Sequence, residues 1–197
     1  MKHLSDEELM SVVQAGDFSP ASELYDRYSD RIYNFAYRFL KNSESAEDAT
    51  QEVFMKMIKH ANQFHADARF ATWLLTITAN HCRDYLRKAE NKVTKEGEDV
   101  LITLPAPAER SPHRNLERQQ DKKMNEKIIQ EALMLLPLDQ REVVLLSRFQ
   151  GLTYAEIAQV AGCSEAAVKS RVFRAIDFLK KAFAGDSRGG NQCLNVG

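Results

Sequence analysis

The spacing of Ala158, Gly162 and Val168 constrains this chain more than any other feature of its 197 residues. Two short helices crossing at about 90 to 120° need a small side chain where they approach most closely. They also need a turn residue that tolerates positive φ, and an apolar anchor on the second helix. Ala158, Gly162 four residues on, and Val168 six beyond fill those roles. The flanks agree: Thr153-x-x-Glu156 is a capping box that opens the first helix, and Ser164 caps the second. Ile157 and Val172 stand beside Val168 in the expected core. The pattern predicts a helix-turn-helix over Thr153 to Lys180.

A helix-turn-helix lays its second helix in the major groove, with the N-terminal half toward the bases. Glu165, Ala166, Lys169, Ser170 and Arg174 project opposite Val168 and Val172, which makes them the candidate readers. From Glu165 to Lys181 the local net charge is +3. Arg171 and Arg174 can grip a guanine edge or a phosphate, either worth about 1–3 kcal/mol. The whole chain, however, carries a net charge of -1. Phosphate neutralisation supplies most non-specific affinity, so this protein is expected to hold DNA through local basic faces and with a partner's help.

Helical signals dominate elsewhere, with no period-2 strand pattern. Ser5-x-x-Glu8 is another capping box, opening a short helix that Gly16 can end. Ser19 is expected to cap the next helix with Pro20 in its first turn. Along that helix Leu24, Tyr28, Ile32, Phe35, Ala36 and Phe39 form an apolar stripe. Ser45 is expected to precede a third helix, with Ala46, Ala49, Val53, Met57, Ile58 and Ala61 inward. Its outward residues are Glu47, Asp48, Gln51, Glu52 and Lys56. A polar loop from His60 to Arg69 leads to a fourth helix starting near Phe70, which carries Trp73, Leu74, Ile77 and Leu86 and turns basic at Arg83, Arg87 and Lys88. Helices with such short connections predict a compact bundle.

Periodicity then lapses from Asn91 to about Leu116, where Pro105, Pro107, Pro112 and the acids Glu96, Glu98 and Asp99 suggest a linker. Helicity resumes near Arg118, with Ile128, Ile129, Ala132, Leu133 and Leu136 on one face, stopped by Pro137. Leu138 to Phe149 reads as one helix ended by Gly151, and the tail after Gly185 is expected to fray. The fold class expected is all-α: two small helical domains, a four-helix-type N-terminal bundle and a C-terminal helix-turn-helix domain, joined by a flexible linker.

Other classes fit less well. No apolar run approaches the roughly 18–20 residues that cross a bilayer, and the first residues do not read as a secretory signal. Cys82, Cys163 and Cys193 are odd in number and far apart, which fits a reducing cytoplasm and incidental thiols. There is no Gly-rich phosphate loop, His/Cys metal spacing, or nucleophile paired with a base. His3, His60, His65, His81 and His113 are scattered and are expected to be surface polar residues. Neither an enzyme nor a metal or other cofactor is expected.

On the third helix, Glu47, Asp48 and Glu52 around Gln51 suit a basic partner helix, although acidic faces are more often simply solvated. On the fourth, aromatic residues alternate with Arg83, Arg87 and Lys88, as suits single-stranded nucleic acid. Phe70 and Trp73 fit core spacing better, and Asn80, Asp84 and Arg87 stay open on this reading.

Two groups of motifs together resemble a known family. Asp48-Ala49-Thr50-Gln51-Glu52-Val53-Phe54, Phe70-Ala71-Thr72-Trp73-Leu74 and Asn80 look like the second conserved region of bacterial sigma factors. Leu135-Leu136-Pro137, Arg141-Glu142-Val143, Gly151 to Ala158 and Val168-Lys169-Ser170-Arg171 look like the fourth. With only a short Pro-containing linker between them, the arrangement is similar to the extracytoplasmic-function (ECF) group.

The resemblance implies an alternative, stress-responsive sigma factor that binds core RNA polymerase and directs promoter-specific initiation. It divides the chain into 1–90 (region 2), 91–117 (linker), 118–184 (region 4) and 185–197 (tail). Asp48, Gln51 and Glu52 would dock on the β′ clamp helices, and the β flap would be a further contact. Asn80, Arg83, Asp84 and Arg87, with His65 and Arg69 in the preceding loop beside Asp67, would hold the minus-ten strand around a flipped-out base. Glu165, Lys169, Ser170, Arg171, Phe173 and Arg174 would read the minus-thirty-five element. The acidic linker would act as a nucleic-acid mimic in a basic channel. Promoter DNA and an anti-sigma factor are the other implied partners, in the cytoplasm, with no small-molecule substrate. The rival reading is a free-standing helix-turn-helix regulator, which leaves the first domain's motifs unexplained.

Overall fold

The computed structural model describes residues 4–65, 67–96 and 116–186, with side chains up to Asn91 and again from Glu126 to Ala182. The expected linker core, most of the tail, and His3, His113 and Cys193 lie outside the described residues. The described residues are all-α: α1 (Asp6–Gln14), α2 (Ala21–Leu40), α3 (Ser43–Lys59), α4 (Phe70–Glu96), α5 (Leu116–Leu135), α6 (Leu138–Val144), α7 (Tyr154–Ala161) and α8 (Glu165–Asp186). A 3-10 turn at Ala61–Gln63 follows α3, and a π-helical turn at Leu145–Phe149 follows α6. The fold class matches the sequence expectation. At the edges the helices run further than expected, since α4 continues to Glu96, α5 starts at Leu116 and α8 includes Gly185 and Asp186.

Local chemistry sets most boundaries. Both capping boxes form: Ser5 Oγ accepts from Glu8 N–H while Glu8 accepts from Ser5 N–H, and Thr153 and Glu156 do the same. Gly162 takes φ +62°, and the N–H groups of Cys163 and Gly162 reach back to the carbonyls of Ala158 and Gln159, closing a Schellman turn. Ser164 Oγ accepts from Ala167 N–H at 3.2 Å.

Two helix starts differ from the expectation. Ser45 does not precede α3 but lies inside its first turn, because Asn42 caps the helix with Oδ1 accepting from Ser45 N–H at 2.7 Å. Ser19 does not cap α2. Its N–H is held by Asp17 Oδ1 at 2.9 Å, and Pro20 stands at the cap without a side-chain bond.

The first bundle packs α1 to α4 around Leu9, Ile32, Phe35, Phe39, Met57 and Phe70, all essentially inaccessible. Thr50 and Phe54 join the α3 stripe instead of Ile58, which is rotated about 100° from the buried Met57 and is 36% exposed. Thr50 enters the core because its Oγ1 donates to the Ala46 carbonyl at 2.7 Å. In the second bundle Val143, Leu145, Ile157, Val160, Val168, Val172 and Ala175 are buried. The expected single helix from Leu138 to Phe149 widens at the π turn, where Gln150 N–H bonds the Leu145 carbonyl five residues back.

The sequence did not indicate how closely the two bundles pack. Their buried side chains form one continuous cluster. Carbonyls at the end of α2 take donors from the other bundle, Tyr37 in addition to the Lys41 N–H. Gln130 Nε2 bonds the Tyr37 and Arg38 carbonyls at 3.3 and 3.2 Å, and Arg141 bonds the Phe39 carbonyl at 3.0 Å. This docking overrides the expected apolar face of α5. Gln130 is buried, while Ile128 and Ile129 are each 41% exposed. Arg31 completes the junction, donating to the Gln150 side chain at 2.7 Å and to its carbonyl at 2.8 Å.

Candidate nucleic-acid interface

α8 is seated by Val168, Val172 and Ala175, so its opposite side faces solvent. Glu165, Lys169, Ser170, Phe173 and Arg174 are all exposed there, Phe173 at 73%. Arg171 departs from this set. Its Nε lies 3.2 Å from Asp139 Oδ2 and its NH1 3.5 Å from Cys163 Sγ, with the side chain only 25% exposed. The structure therefore places Arg171 as a brace between α8 and α6. The exposed cations of the N-terminal half are Lys169 and Arg174.

On the first bundle, Asp48 and Gln51 are exposed and Glu52 is half-buried. Beside them an open groove of about 810 Å³ runs between α2 and α3, lined by Tyr25, Asp30, Tyr33, Tyr37, Glu47 and Gln51. Carboxylates and phenol rings together suit a helix carrying basic and apolar side chains.

Asn80, Arg83, Asp84 and Arg87 recur at helical spacing and share one face of α4. Asp84 and Arg87 pair with each other at 3.0 Å in the open. Arg83 also donates to Asn80 Oδ1, which orients the exposed amide. His65 and Arg69 sit exposed in the preceding loop, roughly 15 Å away along the helix axis. His81, expected at the surface, is half-buried between α3 and α4, with Nδ1 2.9 Å from Lys56 Nζ. Burial, then the Lys56 cation, pulls its pKa down, so the ring accepts the lysine's proton donor in neutral form.

The α4 face does not stand free, because α7 lies against it. Glu156 Oε1 accepts from Arg69 NH1 at 2.7 Å and from Thr72 Oγ1 at 3.3 Å, while Arg83 NH2 donates to the Val160 carbonyl at 3.3 Å. Burial alone would raise the Glu156 pKa, but bonds from Thr153 and Arg69 outweigh it and hold the carboxyl below its usual range. Arg83 Nε also lies 3.7 Å from Glu142 Oε2, and the other oxygen of Glu142 is buried without a hydrogen-bond partner. Burial pushes the Glu142 pKa up, against the pull of Arg83 and Arg171.

Comparison with known proteins matches both bundles to one family. Sigma-70 region 2 matches residues 24–92, and sigma-70 region 4 matches residues 126–179. The chain is 31% identical over 188 residues to the RNA polymerase sigma-H factor of Pseudomonas aeruginosa, covering 90% of this chain and 93% of that one. It is 33% identical over 171 residues to the ECF RNA polymerase sigma factor SigM of Mycobacterium tuberculosis, covering 87% and 81%. The chain belongs to the ECF group of the sigma-70 family. A solved structure of the sigma factor RpoE from Bartonella quintana, in complex with the anti-sigma factor NepR, shares the fold. Its TM-score is 0.66 at 24% identity, over 83% of this chain and 96% of that one.

Membership in this family makes the chain a transcription initiation factor and removes the free-standing regulator as a reading, since its first bundle is itself a sigma region. Among the described residues of this ECF sigma factor, no helix is long and apolar enough to cross a membrane. Sequence reasoning missed Thr72, Glu156 and Gln130 as members of the junction. Thr72 and Glu156 carried one signal, an Arg69-x-x-Thr72 pair and a capping glutamate with one oxygen left over, but only the fold brings them together.

Proposed function

We propose that this ECF sigma factor docks on the clamp of core RNA polymerase through Asp48, Gln51, Glu52 and the α2–α3 groove. It then reads promoters with two separate faces. Lys169, Ser170, Phe173 and Arg174, with Glu165 at the start of α8, contact the minus-thirty-five element. Asn80, Arg83, Asp84 and Arg87, with His65 and Arg69, hold the minus-ten strand. Arg171 supports the reading helix from behind, through Asp139. Region 4 also meets the β flap, and an anti-sigma factor holds the chain inactive, in line with the anti-sigma complex of the Bartonella quintana relative. The proposed units are 1–90 for region 2, 91–117 for the linker and 118–184 for region 4.

One observation carries the reading. In a chain of this family, the residues left exposed on α8 opposite its buried valines are the polar, cationic and aromatic ones suited to a major groove. The test is run-off transcription from a promoter library with core polymerase plus the purified chain. Lys169→Ala and Arg174→Ala should each reduce use of promoters that depend on the upstream element, by about tenfold for a lost base contact. Asn80→Ala should impair strand opening more than closed-complex formation. The same promoter preferences in parent and variants would overturn the residue assignments. Failure to initiate with core enzyme would overturn the function.

A further inference from the structure

We infer that the closed junction is an internal block on the minus-ten face, in which Glu156 of region 4 occupies the place of a DNA backbone phosphate. This rests on the reading of α4 as the strand-binding face. Glu156 presents one anionic oxygen to a guanidinium and a hydroxyl, Arg69 NH1 at 2.7 Å and Thr72 Oγ1 at 3.3 Å. An arginine and a threonine hydroxyl are the donor set that grips a phosphate oxygen. The other oxygen is fixed by Thr153, so the carboxylate is aimed by its own capping box and not by chance rotation.

One helical turn further on, the Val160 carbonyl takes an Arg83 donor that a second phosphate would otherwise receive. The stripe from Arg69 through Thr72 to Arg83 is thus filled by acceptors at both ends. Arg69, Thr72 and Arg83 are therefore the phosphate-binding set for the unpaired strand, and α7 is its resident competitor. The block is weakly held by design of its parts. Arg69 is 72% exposed in the pair with Glu156, and such ion pairs contribute little in water. The junction is also held at its other end, where Gln130 and Arg141 donate to carbonyls of α2 and Arg31 donates to Gln150. Pulling region 4 away, as separate contacts with polymerase would, uncovers the minus-ten face.

The test measures binding of the full free chain to a fluorescein-labelled single-stranded DNA pool of about ten nucleotides, by anisotropy. Two substitutions loosen the junction at different places. Glu156→Gln keeps the capping geometry but removes the charge, and Gln130→Ala removes an uncharged contact on the α2 side. Both should tighten strand binding, by about three- to tenfold, and Gln130→Ala should also raise the radius of gyration measured by X-ray scattering. If only Glu156→Gln binds more tightly and Gln130→Ala matches the parent, the effect is local charge and the block is refuted. No change in either variant also refutes it. If no form binds the strand while the holoenzyme still opens promoters, the assignment of the minus-ten face falls, and the block with it.

Discussion

Arg141 is a buried cation whose removal should cost more than any exposed residue of the DNA faces. Its Nε donates to the Leu133 carbonyl at 2.9 Å, its NH2 to Met134 and Leu136 at 3.1 and 3.2 Å, and its NH1 to Phe39 at 3.0 Å. Burial lowers its pKa, but from a starting point so high that the side chain stays charged. In Arg141→Ala the Leu133 carbonyl keeps the Leu136 N–H as a donor, whereas Met134, Leu136 and Phe39 lose their charged partner. At roughly 1–1.7 kcal/mol for each of these three carbonyls, the cost is about 3–5 kcal/mol. For a chain of this size that lowers Tm by about 6–20 °C. Circular dichroism melting at 222 nm measures it. Arg141→Met, which keeps bulk but donates nothing, should recover little, and Arg141→Lys should fall between. An Arg141→Ala variant melting within about 2 °C of the parent would refute the argument that these bonds stabilise the fold.

Lys41 adopts φ +57° at the C-terminal cap of α2, so Lys41→Gly should relieve left-handed strain and raise stability by about 0.5–1 kcal/mol in urea titration. Gly162 has φ +62° with open space around its Cα, so Gly162→Ala should cost about 1–2 kcal/mol from backbone strain alone. Glu142 has a raised folded pKa because burial disfavours its charge, so its contribution is fully present below the unfolded carboxylate pKa and is lost as pH rises through the folded one. The stability difference between parent and Glu142→Gln, followed by denaturant titration across pH 4 to 8, should therefore shift in favour of the variant as pH increases.

The sequence was most legible where a few neighbouring residues decide the outcome. Capping boxes at Ser5 and Thr153 and the Schellman glycine at Gly162 act within one turn, and each formed as read. The exposed reading face of α8 followed from Val168 and Val172 alone. The start of α3 was placed too late, at Ser45, because the Asn42 side chain that caps it stands before the apolar periodicity begins. Arg171 was offered as a DNA contact on its charge and on the family resemblance, and its pairing with Asp139, a residue on another helix, was not legible in either. No local pattern marked Gln130, Arg141 and Glu142 as buried residues. They are buried because a second bundle arrives there, which no local pattern encodes.

Because Gln130 and Arg141 finish the end of α2 from across the junction, the final turn of that helix inherits the state of a neighbour more than 90 residues further along the chain. When the halves part, the Arg38 and Phe39 carbonyls must turn to water while Tyr37 keeps the Lys41 N–H, and the last turn becomes free to fray. Amide exchange around Lys41 and Asn42 would then serve as a clock for separation, ticking faster in any complex that draws the two halves of the molecule apart.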